Sequence, residues 1–160
     1  MMTFDYDYSA GDRRYYEGDI ISIKGDPGKN EADALGIVAY SGDDGSFSII
    51  TADGYIGFGE RVVTEPTGEH FDLSPIFDRL RGGGFKEQPG DTFKVGDIAL
   101  RALDDFAPGV VFYVFDNGDA AMLLPDGMSL GTPPQYLRAT GETFDLSPMF
   151  NKIRKIKKGV

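Results

Sequence analysis

The sequence predicts a mainly β protein made of two copies of one small module, each copy closing in a short helix. Three observations predict it. First, residues 67–81 return as residues 140–154 at an offset of 73, with ten of fifteen positions identical and four of the other five conservatively exchanged. A match of that length marks an internal duplication. Second, short runs rich in Ile, Val, Tyr and Phe alternate with tight-turn pairs such as Asp53-Gly54, Asn117-Gly118 and Asp126-Gly127. Asp-Gly and Asn-Gly reach positive φ cheaply, so they favour hairpins. Third, Ser-Pro followed by apolar residues at helical spacing occurs once per copy, at Ser74-Pro75 and Ser147-Pro148.

In chain order, Phe4, Tyr6 and Tyr8 alternate with Asp5 and Asp7, the period-2 pattern of a half-buried strand, so residues 1–16 read as an added N-terminal edge strand. The first module spans 17–81, with strands expected at 19–24, 35–41, 46–52, 55–59 and 61–65. The second spans 93–157, with strands expected at 97–102, 110–115, 120–124, 128–131 and 135–139. Gly18-Asp19-Ile20 matches Gly96-Asp97-Ile98 at an offset of 78, so the first copy carries five extra residues, placed in the Gly-, Pro- and Asn-containing stretch 24–31. Ser74 and Ser147 are expected as helix N-caps with Pro75 and Pro148 at the first helical position, where no amide hydrogen is needed. Ile76, Phe77 and Leu80 would face the barrel from one helix, and Met149, Phe150, Ile153 and Ile156 from the other. Gly82 would end the first helix, and 82–92 reads as a Gly-rich linker.

Five short strands with hairpin turns suggest a strongly bent barrel. The sequence of Gly-Asp-Ile, Asp-Gly hairpin and closing helix resembles SH3-like small barrels, including the KOW-type group, over residues 15–81 and 93–157. The resemblance implies two tandem SH3-like five-stranded barrels, each closed by a short C-terminal helix. The pattern from Thr67 to Leu73 is also similar to the ends of small uncharacterised proteins of phages and mobile elements. In such modules function is usually recognition, not catalysis.

Composition narrows the function classes. The 160 residues carry a net charge of −10. An acidic body disfavours phosphate backbones, so nucleic acid is not the expected partner. No apolar run approaches the ~20 residues that span a membrane. The first ten residues lack a basic start and an apolar core, so no secretory signal is read there. The absence of cysteine removes disulfides and thiolate chemistry and fits a cytoplasmic protein. Residues 149–160 carry five bases and no acid. That basic helix has two readings: a solvated face complementing its own dipole, or docking onto an acidic surface, either the other module or a second copy.

No constellation of catalytic residues is legible. His70 is the only histidine, Thr143 stands in its place in the second copy, and spacing names no partner for it. Asp43-Asp44-Gly45 and Asp116-Asn117-Gly118-Asp119 do not continue as calcium loops, so they are read as hairpin turns. The three glycines Gly54, Gly57 and Gly59 lack the strand–loop–helix setting of a phosphate loop and read as a barrel corner. Asp72 and Asp145 are expected to bond local amides at the helix starts. No metal site and no cofactor is expected, and the chain is not read as an enzyme.

The candidate binding surface is aromatic and basic: Tyr6, Tyr8, Arg13, Arg14, Tyr16, Tyr55 and Phe58. Tyr and Arg are enriched at binding hot spots. A core role for half of these aromatics is the competing reading. The sequence therefore predicts a non-catalytic interaction protein, a phage or mobile-element accessory protein occupying a host protein through its acidic body and Tyr/Arg-rich edge. The alternative is a small-ligand, nucleotide-type binder using a pocket between modules or protomers. Edge strands and the basic helix both offer contacts for a homodimer.

Overall fold

The computed structural model of the chain describes residues 15–23, 28, 34–41, 47–52, 54–56, 64–125 and 127–159. Among the described residues the chain is mainly β, with two sheets and two α-helices. The first sheet holds β1 (Asp19–Ile23), β2 (Ala34–Ser41), β3 (Phe47–Thr51), β4 (Gly54–Ile56) and β5 (Thr64–His70) in the order β4-β3-β2-β1-β5. Helix α1 (Ser74–Gly82) follows. The second sheet holds β6 (Asp97–Arg101), β7 (Ala107–Val114), β8 (Ala120–Leu124), β9 (Gly127–Thr132) and β10 (Leu137–Thr143) in the equivalent order, and α2 (Ser147–Gly159) ends the described chain. Every pairing is antiparallel. The first strand lying beside the fifth is the order a small bent barrel requires. Among the described residues the ladders go no further: β4 and β5 are the edges of an open five-stranded sheet, as are β9 and β10, with a single antiparallel bridge from Gln88 to Ala139 on β10.

The duplication is reproduced in register. A bulge between Val38 and Tyr40 on β2 recurs between Val111 and Tyr113 on β7. Another between Asp19 and Ile21 recurs where Ala139 and Thr143 of β10 pair with Ala99 and Asp97 of β6. The shared motifs explain these bulges. Gly18 (φ +99°) and Gly96 (φ +98°) each donate their amide to the second strand, to Val38 O and Val111 O at 2.8 Å, and accept from Phe71 and Phe144 at 2.8 Å. Only glycine takes that φ without strain. Asp19 and Asp97 accept the amides of Tyr16 (2.9 Å) and Lys94 (3.0 Å), pinning the turn before the strand. Thr67 and Thr140 each donate their hydroxyl to the first strand, to Ile20 O and Ile98 O at 2.6 Å, and accept the amides of Glu69 and Glu142 at 3.1 Å. The repeated Thr-Gly-Glu is thus a clip that holds a bulge closed.

Alternating side chains bury both faces of each sheet. On one face of the first lie Ile21, Ile23, Val38, Phe47 and Ile49 with Tyr15. Tyr15 meets Phe47 edge-on at 5.1 Å between centroids, and its hydroxyl lies 3.0 Å from Thr64 Oγ1. On the other face the paired row Ile20, Ile37 and Ile50 is also buried. The second sheet repeats this: Ala99, Val111, Ala120, Met122 and Leu137 form one cluster, and Ile98, Val110 and Leu123 form the opposite row. A second buried row needs its own cover, and the helices carry the apolar stripes for it: Ile76 and Leu80 on α1, Met149 and Ile153 on α2, all at most 2% exposed.

Each helix belongs to the compact unit of the other repeat. One unit comprises residues 1–72 with 148–160, and the other comprises residues 73–147. Helix α1 lies against β7. Its Arg79 forms an ion pair with Glu142 on β10 and sits over the Phe85 ring at 4.3 Å, and Arg81 donates to Pro125 O at 3.0 Å. In the first unit, Lys152 of α2 lies 3.3 Å from Glu69 on β5. The expectation that each repeat's helix faces its own sheet is therefore corrected.

Three smaller expectations shift as well. The fifth strand lies several residues later than expected, since it continues through its bulge to His70 and Thr143. The cap position of α1 is Leu73, with no side-chain cap, so Ser74 is the first helical residue and Pro75 the second. Gly83 (φ +66°), not Gly82, turns the chain out of the helix, donating to Leu80 O at 3.3 Å.

Candidate interaction surface

The turn from β6 to β7 carries the most unusual local geometry among the described residues. A single 3-10 turn, Ala102–Asp104, is followed by Asp105 (φ +53°) and Phe106 (φ +62°), the two non-glycine residues in the left-handed region among the described residues. Asp tolerates that region and a large aromatic residue does so poorly. The conformation is enforced locally. Phe106 donates its amide to Arg101 O at 2.9 Å. Arg101 pairs with Asp104 and donates through Nε to Thr132 Oγ1 at 2.9 Å, while Ser129 Oγ lies 2.9 Å from the same hydroxyl.

The consequence is an exposed apolar end on the second sheet. Leu103 is 56% exposed and Phe106 50%. Arg101 pairs with both Ala107 and Leu137, so the 3-10 turn Pro134–Tyr136 before β10 lies at the same sheet end, and Tyr136 is 41% exposed. Acidic Asp104 and Asp105 sit between the two apolar residues of the turn. Backbone strain of order 1–3 kcal/mol per residue persists only where surroundings enforce it, and it concentrates at functional positions. Asp104-Asp105 lies between the expected strands and is compatible with a turn, but no glycine or asparagine marks the left-handed position taken by Phe106.

Of the residues expected to bind, Tyr16 is 61% exposed at the turn before β1. Tyr55 lies on β4. Tyr6, Tyr8, Arg13, Arg14 and Phe58, with the proposed edge strand, lie outside the described residues. Tyr15 is a core residue. His70 Nδ1 lies 3.2 Å from Asp19 Oδ1 on an exposed edge, so the histidine has one carboxylate neighbour that its spacing did not reveal. Asp145 accepts the Ser147 amide at 2.9 Å, the local bond expected of it. Hydrogen bonds from the Ser147 hydroxyl and then its amide hold this carboxyl below its ordinary pKa.

A cleft of about 450 Å³ opens within the second unit beside the β6–β10 bulge. Phe93, Lys94, Asp97, Glu142 and Thr143 line it with Pro89 and Gly90 of the linker. Among the described residues no group of three or more His, Asp or Glu side chains could hold a metal ion. No helix there is long and apolar enough to cross a membrane. Compared with protein-family models, curated proteins and solved structures, the chain matches none.

Proposed function

We propose that the chain is a non-catalytic recognition protein on two tandem SH3-like scaffolds, and that it occupies another protein through the exposed apolar end of its second sheet. The observation that carries this reading is the enforced left-handed pair at Asp105 and Phe106, with Leu103 and Phe106 exposed at the sheet end that also carries Tyr136. Exposed aromatic and aliphatic side chains on a fixed backbone are suitable anchors, since little entropy is lost when they are buried. Asp105, with a net charge of −10 for the chain, suits a partner with an apolar hollow and a basic rim. The similarity of the Thr67–Leu73 pattern to the ends of phage and mobile-element proteins favours a host protein as that partner. The test is capture from host lysate on the full-length chain, beside L103A/F106A and Tyr16→Ala baits of equal stability. Loss of a stoichiometric partner on the first variant supports this end of the sheet, and loss on the second supports the Tyr/Arg edge. Equal recovery on all three overturns both surfaces.

A second reading, small-ligand binding, is favoured by the cleft beside Lys94. Its volume falls in the range of ligand sites, ~300–1,000 Å³. A thermal-shift screen over nucleotides reads it directly. No stabilisation at millimolar ligand removes it.

A further inference from the structure

We infer that the helix-docking face of the first unit accepts α2 from a second copy of this chain, so that two copies assemble by exchanging that helix. The exchange already operates within one chain. The unit built on β1–β5 includes α2, seventy-three residues beyond the helix of its own repeat, and the unit built on β6–β10 includes α1. Docking is therefore set by the matching surfaces and not by succession along the chain.

Those surfaces are duplicates. Ile76 and Leu80 correspond to Met149 and Ile153, and all four are buried. Arg79 with Glu142 corresponds to Lys152 with Glu69. The sheets offer equivalent buried rows, Ile20–Ile37–Ile50 and Ile98–Val110–Leu123. A sheet that takes a helix from elsewhere in its own chain has no chemical means of refusing the identical helix of a neighbour, and exchange of identical elements is a low-cost route to dimers.

Charge selects α2 for the transfer. Residues 1–72 carry fifteen acidic and five basic side chains, while α2 carries five basic and none acidic. The whole chain is acidic, so copies repel one another in general. The approach of α2 to the first unit is the attractive exception. Within one copy the tether supplies an effective concentration in the millimolar range. Exchange between copies is therefore expected when chains fold together at high protein concentration.

The absence of cysteine permits a direct test on the full chain. Glu69→Cys and Lys152→Cys are made singly and together, and the two single variants carry different isotope labels. The singles are unfolded together, refolded at high concentration and treated with a short bis-maleimide. The expected product is a covalent mixed dimer, at least about tenfold above a control pair of Glu69→Cys with Glu87→Cys, since docking raises local concentration by that order or more. The double variant, refolded dilute, is expected to cross-link within one chain. A cross-linked double variant with mixed dimers only at the control level overturns exchange between copies. A double variant that does not cross-link overturns the placement of α2 on which the inference stands. Native mass spectrometry of unmodified protein refolded at the same two concentrations provides an independent reading. A dimer fraction that does not rise with concentration overturns the inference as well.

Discussion

The guanidinium of Arg79 on α1 meets the carboxylate of Glu142 on β10, and seventy-three residues away the same two positions pair the other way round, Lys152 of α2 with Glu69 of β5. Both partners in each pair are partly exposed, so each contributes at most about 1 kcal/mol. Their value is diagnostic: they record which helix serves which sheet.

That assignment has a regional signature. Ile153→Ala removes a buried side chain from α2 and is expected to cost about 2–5 kcal/mol. Because α2 belongs to the unit of β1–β5, amide protection should fall first in residues 19–70, far along the chain from the substitution. Leu80→Ala should do the reverse and loosen residues 97–143. Hydrogen exchange with mass readout separates the two patterns. Loosening of the sheet of the same repeat in both variants would contradict the assignment.

Gly96→Ala is expected to destabilise by about 1–3 kcal/mol, because it forces an L residue into a left-handed conformation. The added Cβ would also lie 3.1 Å from Phe144 O. Denaturant unfolding should show a lower midpoint with an unchanged slope.

Thr140→Val keeps the shape of a 5%-exposed side chain and removes the hydroxyl that bonds Ile98 O and the Glu142 amide. Leaving two backbone groups unpaired is expected to cost about 1–3 kcal/mol. Thr140→Ser should recover most of that in the same unfolding measurement.

Phe106→Gly relaxes the left-handed backbone at the exposed turn while removing an anchor. Stability should hold or rise by up to about 1 kcal/mol, with partner capture lost. A clear loss of stability would show that Phe106 serves the fold and not a partner.

The Asp145 carboxyl titrates below its ordinary value because Ser147 hydrogen-bonds its charged form. A depressed folded-state pKa adds stability above the unfolded value and loses it as pH falls through the folded one. Asp145→Asn should therefore lower the thermal midpoint slightly at neutral pH, and the gap from the unmodified chain should close in the acid range. A gap independent of pH would show that the charge is irrelevant at this helix start.

The repeat, the β-rich content and the turn positions were legible because each rests on local chemistry. Asn117-Gly118 closes the turn between β7 and β8 with Gly118 at φ +92°, and Gly18 and Gly96 announce a positive φ. The end of the fifth strand was not legible, since a Thr-Gly-Glu clip resembles a strand terminus until the partner strand is known. The exchange of helices was hidden by the duplication itself. Two nearly identical helices carry the same apolar stripe, and nothing in either stripe names the sheet it covers. The basic helix did carry a hint, as five bases beside an acidic body, and Lys152 with Glu69 gives that hint an address. The left-handed backbone of Phe106 was not legible because it is imposed by Arg101 of β6 and by Ser129 and Thr132 of β9.

The pairing of β1–β5 with α2 also sets an order on the ribosome. Strands β1 to β5 emerge first, yet the helix that completes their unit is translated only after the whole second sheet has been made. In the interval α1, which carries the same apolar stripe, is available to the sheet it follows until β6–β10 are made. The unit begun first is finished last, so a pause or truncation in translation before α2 leaves the earlier sheet, not the later one, without its helix.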